Sequence, residues 1–239
     1  MRQWLGSVVF TTLLFISVVI YGPLAIVVRL FGYRAFYQAV IVWCRMVLGL
    51  LKWLCRIDYR VRGLENLPAA NSIVLVKHSS AWETIAQVLL FPRQTWVLKR
   101  ELMWAPILGW AIYFLKPIPI NRKGGRKAVD QVIDYGQRRL QEGLWVVIFP
   151  EGTRVPAGQT RRYGLSGTLL AQAADKLVVP VAHNAGYYWP RRSLLKHPGT
   201  IEVVIGEPID PSGRDPRELN EQIQAWVENE IAGMNGPAG

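Results

Sequence analysis

The sequence predicts an α/β fold: a largely parallel sheet flanked by helices, preceded by an N-terminal membrane-anchoring helical pair. Three observations predict it. From Asp58 onward, short apolar runs alternate with helical stretches, the pattern of strands joined by crossover helices. Two of these runs, Ile73-Val74-Leu75-Val76 and Val146-Val147-Ile148-Phe149, are continuously apolar, as strands are when both sheet faces are covered. Ahead of them, from Gln3 to Val28, no residue is charged.

That first stretch would reach roughly 39 Å as a helix, enough to cross a hydrocarbon core of about 30 Å. Gly22-Pro23 predicts a kink or an early end within it. The run exceeds the roughly 7–15-residue core of a cleaved signal peptide and lacks a clear small-x-small cleavage site. Phe36 to Arg56 is also apolar, but Arg34, Arg45, Lys52 and Arg56 mark one side of it. At about 100° per residue these four fall within roughly 40° of one another, so a helix here lies in the interface with its cations toward headgroups. A two-span hairpin would leave Arg29 and Arg34 on the far side, against the positive-inside rule. The reading is one anchoring helix, spanning or re-entrant, then an interfacial helix, with the rest of the chain on the cytoplasmic side. Residues 1–57 form the anchoring part and 58–239 the second domain.

Within 58–239 the expected strands are Tyr59–Arg62, Ser72–Val76, Trp96–Leu98, Pro117–Ile120, Leu144–Phe149, Val178–His183 and Thr200–Ile205. The expected helices are Ala81–Leu90, Pro106–Phe114, Gly125–Gln141, Ser166–Asp175 and Pro216–Met234, and the residues from Asn235 read as a frayed tail. Sites in such sheets gather at the carboxyl ends of strands. His78, Asn121-Arg122, Glu151 and Asn184 all follow expected strands closely.

Composition narrows the partners. The 239 residues carry a formal net charge of +11, with 10 Trp, and the mean hydropathy is +0.15. A basic chain favours anionic partners, and its apolar character and Trp content turn this toward anionic membrane lipids. No zinc-finger, basic-zipper or RNA-recognition signature is present, so nucleic acid is not expected as a partner. Cys44 and Cys55 both lie in the apolar N-terminal region, and no C-x-x-C exists, which suggests neither a disulfide framework nor a metal site. A reducing compartment suits them.

Four segments can carry chemistry. In Lys77-His78-Ser79-Ser80-Ala81-Trp82-Glu83, residues five apart point about 140° away from each other on one helix. His78 and Glu83 therefore pair only if His78 sits in the strand-to-helix turn and Glu83 in the first helical turn. Ser80-x-x-Glu83 reads as a capping box, which puts them there. Glu83 then either only caps its helix or also fixes the His78 tautomer, leaving the other imidazole nitrogen to take a proton from a hydroxyl. No G-x-S-x-G elbow suggests a covalent serine intermediate. In Phe149-Pro150-Glu151-Gly152-Thr153-Arg154, Gly152 permits a tight turn, Thr153 offers a hydroxyl and Arg154 can grip a phosphate; the alternative is a surface turn with a Glu–Arg pair. In Pro119-Ile120-Asn121-Arg122, a strand ends before a helix N-terminus, with Lys123, Arg126 and Lys127 nearby. This is either an anion site or a solvated basic face. In the fourth, Val179-Pro180-Val181 leads to His183, read as structural rather than metal-binding, and to Tyr187-Tyr188-Trp189-Pro190-Arg191-Arg192, which suits a headgroup belt.

Taken in order, these blocks resemble the glycerolipid acyltransferases, nearest to the bacterial 1-acyl-sn-glycerol-3-phosphate acyltransferases. The resemblance covers roughly Leu64 to Ile209. The family's H-x-x-x-x-D is matched by His78 with Glu83 in place of the aspartate. Ile118-Pro119-Ile120-Asn121-Arg122 matches its second block, Phe149–Arg154 the complete F-P-E-G-T-R, and Leu177-Val178-Val179-Pro180-Val181 its fourth. A further departure is Arg161-Arg162-Tyr163-Gly164, where many relatives carry F-K-x-G.

The resemblance implies direct acyl transfer on the glycerolipid acyltransferase fold. His78 would deprotonate the sn-2 hydroxyl of lysophosphatidic acid, oriented by Glu83. The thioester of acyl-CoA or acyl-carrier protein would be attacked. Asn121, Arg122, Glu151, Gly152, Thr153 and Arg154 would bind substrate, with Arg122 on the phosphate. No metal or organic cofactor is implied, and the location implied is the cytoplasmic face of a bacterial inner membrane. The alternatives are another lysolipid acceptor, such as a lyso-ornithine lipid, a lipid hydrolase, or an inactive membrane-surface scaffold.

Overall fold

The computed structural model describes residues 1–234 and Gly236. The tail read from Asn235 lies, apart from Gly236, outside the described residues.

Two long helices come first, α1 (Arg2–Val28) and α2 (Tyr33–Cys55). The turn between them needs Gly32, whose φ of 104° is a conformation L side chains rarely adopt. The helices run antiparallel, since Gln3 Nε2 donates to the Cys55 carbonyl at 3.0 Å and Trp43 Nε1 to Ser17 Oγ at 3.1 Å. Pro23 does not end α1, which continues five residues beyond it. Both helices are long and apolar enough to cross a membrane. Arg34, Arg45, Lys52 and Arg56 are all exposed, opposite the α2 face that buries Phe36, Cys44, Val47 and Leu51. Arg56 adopts the left-handed conformation that closes α2.

The sheet holds seven strands: β1 (Ile57–Arg62), β2 (Ile73–Val76), β3 (Gln94–Lys99), β4 (Ile118–Ile120), β5 (Trp145–Ile148), β6 (Val178–His183) and β7 (Gly199–Ile205). Their spatial order is β1-β7-β6-β2-β5-β3-β4. All neighbouring pairs are parallel except β6 with β7, which is antiparallel. The remaining helices are α3 (Trp82–Leu90), α4 (Leu108–Tyr113), α5 (Arg126–Gln141), α6 (Ser166–Ala174), α7 (Ala185–Tyr188) and α8 (Pro216–Ala232). Every expected strand and helix is present with ends shifted by a few residues. The expectations missed the 3-10 turns and the four-residue α7.

Alternation along the central strands explains the layers. Val74 and Val76 face one side, Ile73 and Leu75 the other, and all four are buried. The first side forms a core with Trp82, Ile85 and Ala86 of α3 and with Phe10, Phe36, Cys44 and Leu51 of the N-terminal helices. The second side packs Val132 and Leu140 of α5, Leu170 of α6, and Leu219, Ile223 and Val227 of α8. The N-terminal helices therefore supply part of the layer that covers one sheet face.

The start of α1 is pinned to the loop before β7. Lys196, 2% exposed, donates from Nζ to Thr11 Oγ1 at 2.5 Å and to the Leu194 carbonyl at 2.9 Å. Its ammonium lies 5.5 Å from the Phe10 ring and 5.3 Å from the Trp189 ring, a cation–π geometry. Its main chain is held by Ser7 Oγ and Gln3 Nε2. The Tyr187–Arg192 run is accordingly no exposed belt: Tyr188 and Trp189 are buried, and Trp189 stands edge-on to Phe10 at 5.3 Å.

Candidate active site

β2 and β5 lie side by side in the sheet, so the segments leaving their carboxyl ends meet. One carries His78, the other Glu151 to Arg154. The Val155 N–H donates to the His78 carbonyl at 2.8 Å and stitches the two segments together.

His78 sits in the turn ahead of α3 and Glu83 in its first turn. His78 Nδ1 lies 2.8 Å from Glu83 Oε1, which also accepts the N–H groups of Ser79 at 3.0 Å and Ser80 at 2.8 Å. The capping box is thus half made. Glu83 reaches back to the Ser80 N–H, but Ser80 Oγ accepts from the Trp82 N–H instead and donates to the Trp189 carbonyl. Burial acts to raise the Glu83 carboxyl. The His78 hydrogen bond, the His183 and His78 rings and the Ser80 N–H outweigh it and hold the group below its ordinary range. An ionised Glu83 assigns the proton to His78 Nδ1 and leaves the lone pair on Nε2. The Phe149 ring stacks on the imidazole at 4.2 Å and limits its rotation.

Glu151 is buried beneath this turn, and its Oε1 accepts the His78 N–H at 3.1 Å. Burial pushes its pKa up to about 7, against the pull of the His78 N–H, its own N–H and Lys77. Gly152 adopts φ 67° in the exposed turn that follows, with open space where a Cβ would stand, so backbone conformation alone accounts for glycine. Thr153 is half-buried.

A cavity of about 320 Å³ opens beside His78. Arg122 and Arg154 line it with His78, and the rest of its wall is almost wholly apolar, drawn from α1, α2, α3, β3 and α4. Arg122 keeps surface exposed to solvent, yet partial burial lowers its pKa, with Glu101 opposing and Arg154 adding to the shift. The structure therefore brings His78, Arg122 and Arg154 to one cavity, with Glu83 behind the imidazole. Glu151, Gly152 and Thr153 shape the turn and do not line it. Asn121 does not line it either; its carboxamide oxygen accepts the Lys123 N–H at 3.1 Å in the turn after β4. Lys123, Arg126 and Lys127 are exposed beside it.

Several participants escape sequence reasoning. His183, at the end of β6, accepts the Ala185 N–H on Nδ1 at 3.2 Å and donates from Nε2 to the Lys77 carbonyl at 2.7 Å. It is a buried brace for the His78 turn, its pKa lowered mainly by burial and raised in part by Glu83. Arg191 donates to the Arg154 carbonyl at 2.8 Å. Lys77 is buried among carboxylates, and a lysine ending an apolar strand was the one signal available for it. Tyr163 of the Arg161–Gly164 departure is buried against α8, where its carbonyl accepts from Asn220, and it does not line the cavity. Among the described residues, no three His, Cys, Asp or Glu side chains converge as a metal-ion set.

A carboxylate-held imidazole opens on an apolar cavity that two arginines also line, an arrangement able to take a proton beside an amphipathic anion. The comparisons agree with that chemistry. A family model described as Acyltransferase matches residues 58–184, and the chain belongs to the acyltransferase family. The chain is 43% identical to the 1-acyl-sn-glycerol-3-phosphate acyltransferase of Pseudomonas aeruginosa, over 96% of this chain and 91% of that one. It is 27% identical to the mouse 1-acyl-sn-glycerol-3-phosphate acyltransferase alpha, over 73% of this chain and 63% of that one. The fold matches the crystal structure of the 1-acyl-sn-glycerophosphate acyltransferase PlsC from Thermotoga maritima. The TM-score is 0.80, with 23% identity over 97% of this chain and 95% of that one.

Proposed function

We propose that this protein transfers an acyl chain from a thioester donor to the sn-2 hydroxyl of 1-acyl-sn-glycerol-3-phosphate, giving phosphatidic acid. The observation that carries the reading is the His78–Glu83 pair opening on a cavity with two arginines at one end and apolar walls beyond. The Pseudomonas relative, similar over nearly the whole of both chains, supports the choice of substrate.

In this mechanism His78 Nε2 takes the proton of the sn-2 hydroxyl as its oxygen attacks the thioester carbonyl. Glu83 stabilises the imidazolium that forms. The tetrahedral intermediate collapses, the C–S bond breaks, and the leaving thiolate takes the proton back from His78. Arg122 and Arg154 hold the substrate phosphate, which places the hydroxyl against the base. The Gly152 turn presents Arg154, and Thr153 offers a hydroxyl beside it. The existing acyl chain of the substrate occupies the apolar cavity. The donor is acyl-CoA or acyl-carrier protein, and no metal or organic cofactor enters. The exposed cations of α2 face anionic headgroups, and the catalytic side works on the cytoplasmic face of a bacterial inner membrane.

The test is an assay of detergent-solubilised protein with labelled acyl-CoA, then acyl-carrier protein, against a panel of lysolipids. Phosphatidic acid from lysophosphatidic acid, with little product from other acceptors, is the expected result. Product from another lysolipid alone, or free fatty acid alone, would sink it. Arg122→Ala should raise KM for lysophosphatidic acid at least about tenfold, since charge-assisted phosphate contacts are among the stronger hydrogen bonds. An unchanged KM would point to an acceptor without a phosphate.

A further inference from the structure

Lys77 stands directly before His78, and its side chain is 4% exposed. Its Nζ donates to Glu228 Oε1 at 2.5 Å and to the Gln159 carbonyl at 3.3 Å, and lies 3.7 Å from Glu151 Oε1. That same Glu151 oxygen accepts the His78 N–H. Contacts thus run from Glu228 on α8, through Lys77 and Glu151, to the main chain of the proposed base. The Acyltransferase match ends at residue 184, well before Glu228. Lys77 does not line the cavity, and the acyl-transfer steps above make no use of it.

We propose that Lys77 is a positioning residue: anchored by Glu228, its ammonium favours the carboxylate form of Glu151, and the Glu151 carboxylate fixes the His78 main chain so that the ring meets both Glu83 and the cavity. The proposal rests on the acyl-transfer reading of His78.

The charges around Glu151 explain why a cation is needed. Lys77 faces it from the end of β2, His78 from the turn, Glu83 from α3, Tyr163 from the segment before α6, and Glu228 through Lys77 from α8. Lys77 therefore serves two carboxylates, Glu151 and Glu228, while Glu83 is held by His78. Glu151 Oε2 has no hydrogen-bond partner among the described residues, so the ionised form depends on what Oε1 receives. An ionised acceptor holds the His78 N–H more strongly than a neutral carboxylic acid does. Burial already brings Glu151 to about 7 with Lys77 present, so loss of the ammonium tips it to the acid form at neutral pH.

The experiment is the pH dependence of kcat/KM for wild type, Lys77→Met and Glu228→Gln, each also in a Glu151→Gln background. Lys77→Met should move the acidic limb up by about one pH unit and lower activity at pH 7 about fivefold. Glu228→Gln keeps an acceptor for Lys77 but removes the competing carboxylate charge, and should move the limb the opposite way. Both shifts should disappear with Glu151→Gln, which does not titrate. Curves that keep the wild-type shape and differ by a constant factor would overturn the proposal. If Lys77→Met does not fold, Glu228→Gln, whose side chain reaches solvent, carries the test: an unmoved limb overturns it.

Thermal unfolding gives a reading without activity. A Glu151 raised from 4.5 to about 7 stabilises the folded protein fully below 4.5, and that contribution is lost as pH rises through 7. With the pKa raised further, the Tm deficit of Lys77→Met should widen above pH 7, and should stay constant with Glu151→Gln; a constant deficit in both backgrounds overturns the network. Wild type that acylates no lysolipid would instead sink the acyl-transfer reading and leave the unfolding result to judge the network.

Discussion

At the scale of the residue, the site is a set of hydrogen bonds on one histidine: Glu83 on the ring, Glu151 and Val155 on the main chain. His78→Ala removes the proposed base and should cost about 10²–10⁴-fold in kcat, the usual worth of a positioned general base. Near-normal turnover by a folded variant would end the mechanism. Glu83→Gln keeps the length of the side chain and removes its charge, so the imidazolium loses its counter-ion. Here kcat should fall at least about tenfold with KM little changed, measured by steady-state kinetics on the folded variant. The glutamate itself is understandable. From the first turn of α3 it must reach back to His78 Nδ1 and two backbone N–H groups at once, and the extra methylene supplies that reach. The order of a strand, a histidine, a capping serine and a glutamate made this pairing legible in the sequence. The contacts of Glu151 and Lys77 were not legible, because Glu151 turns inward to a main-chain N–H 73 residues away and Lys77 finds its partner on the last helix.

At the scale of the element, the helices around the cavity decide what it can hold. Ala111 of α4 lines its apolar wall. Ala111→Phe should shorten the space and shift activity toward lysolipids with shorter chains, read from competition between acceptors of different length. An unaltered preference would mean that the chain lies elsewhere. The start of α1 depends on one buried cation. Lys196→Met keeps the length but leaves Thr11 without its partner and removes two cation–π contacts. It should lower Tm and expose α1 to protease in detergent, a loss of about 1–3 kcal/mol for a broken buried polar contact. Alternating hydrophobicity and apolar runs located all seven strands. They could not locate α7, four residues long, because one turn of helix carries no period. α7 still matters, since a Cβ on its Gly186 would stand 2.9 Å from Ser79.

At the scale of the whole molecule, the N-terminal helices and the sheet share one core. Phe10, Phe36, Cys44 and Leu51 pack in the same cluster as Val74, Val147 and Val179. A fragment of residues 58–239 should therefore be insoluble or only partly folded, because one sheet face would lose its cover; circular dichroism and solubility measurements decide this. A fragment that folds and unfolds cooperatively would show that the helices are only an anchor. Binding to vesicles should rise with anionic lipid and weaken with salt, as expected for the exposed stripe from Arg34 to Arg56.

By itself the sequence determined the alternation of strands and helices, the two apolar N-terminal helices, and the motifs carrying His78, Glu83, Arg122 and Arg154. Those features depend on local periodicity and on residue types at short spacing, which a linear chain displays directly. Only the tertiary structure decided that β2 neighbours β5, that Asn121 turns away while Arg122 joins the cavity, that the helical pair walls that cavity, and that Lys77 joins α8 to the segment after β2. Each of these joins residues far apart in the chain, and strand order and burial are settled by which faces pack together, a choice that no local pattern records.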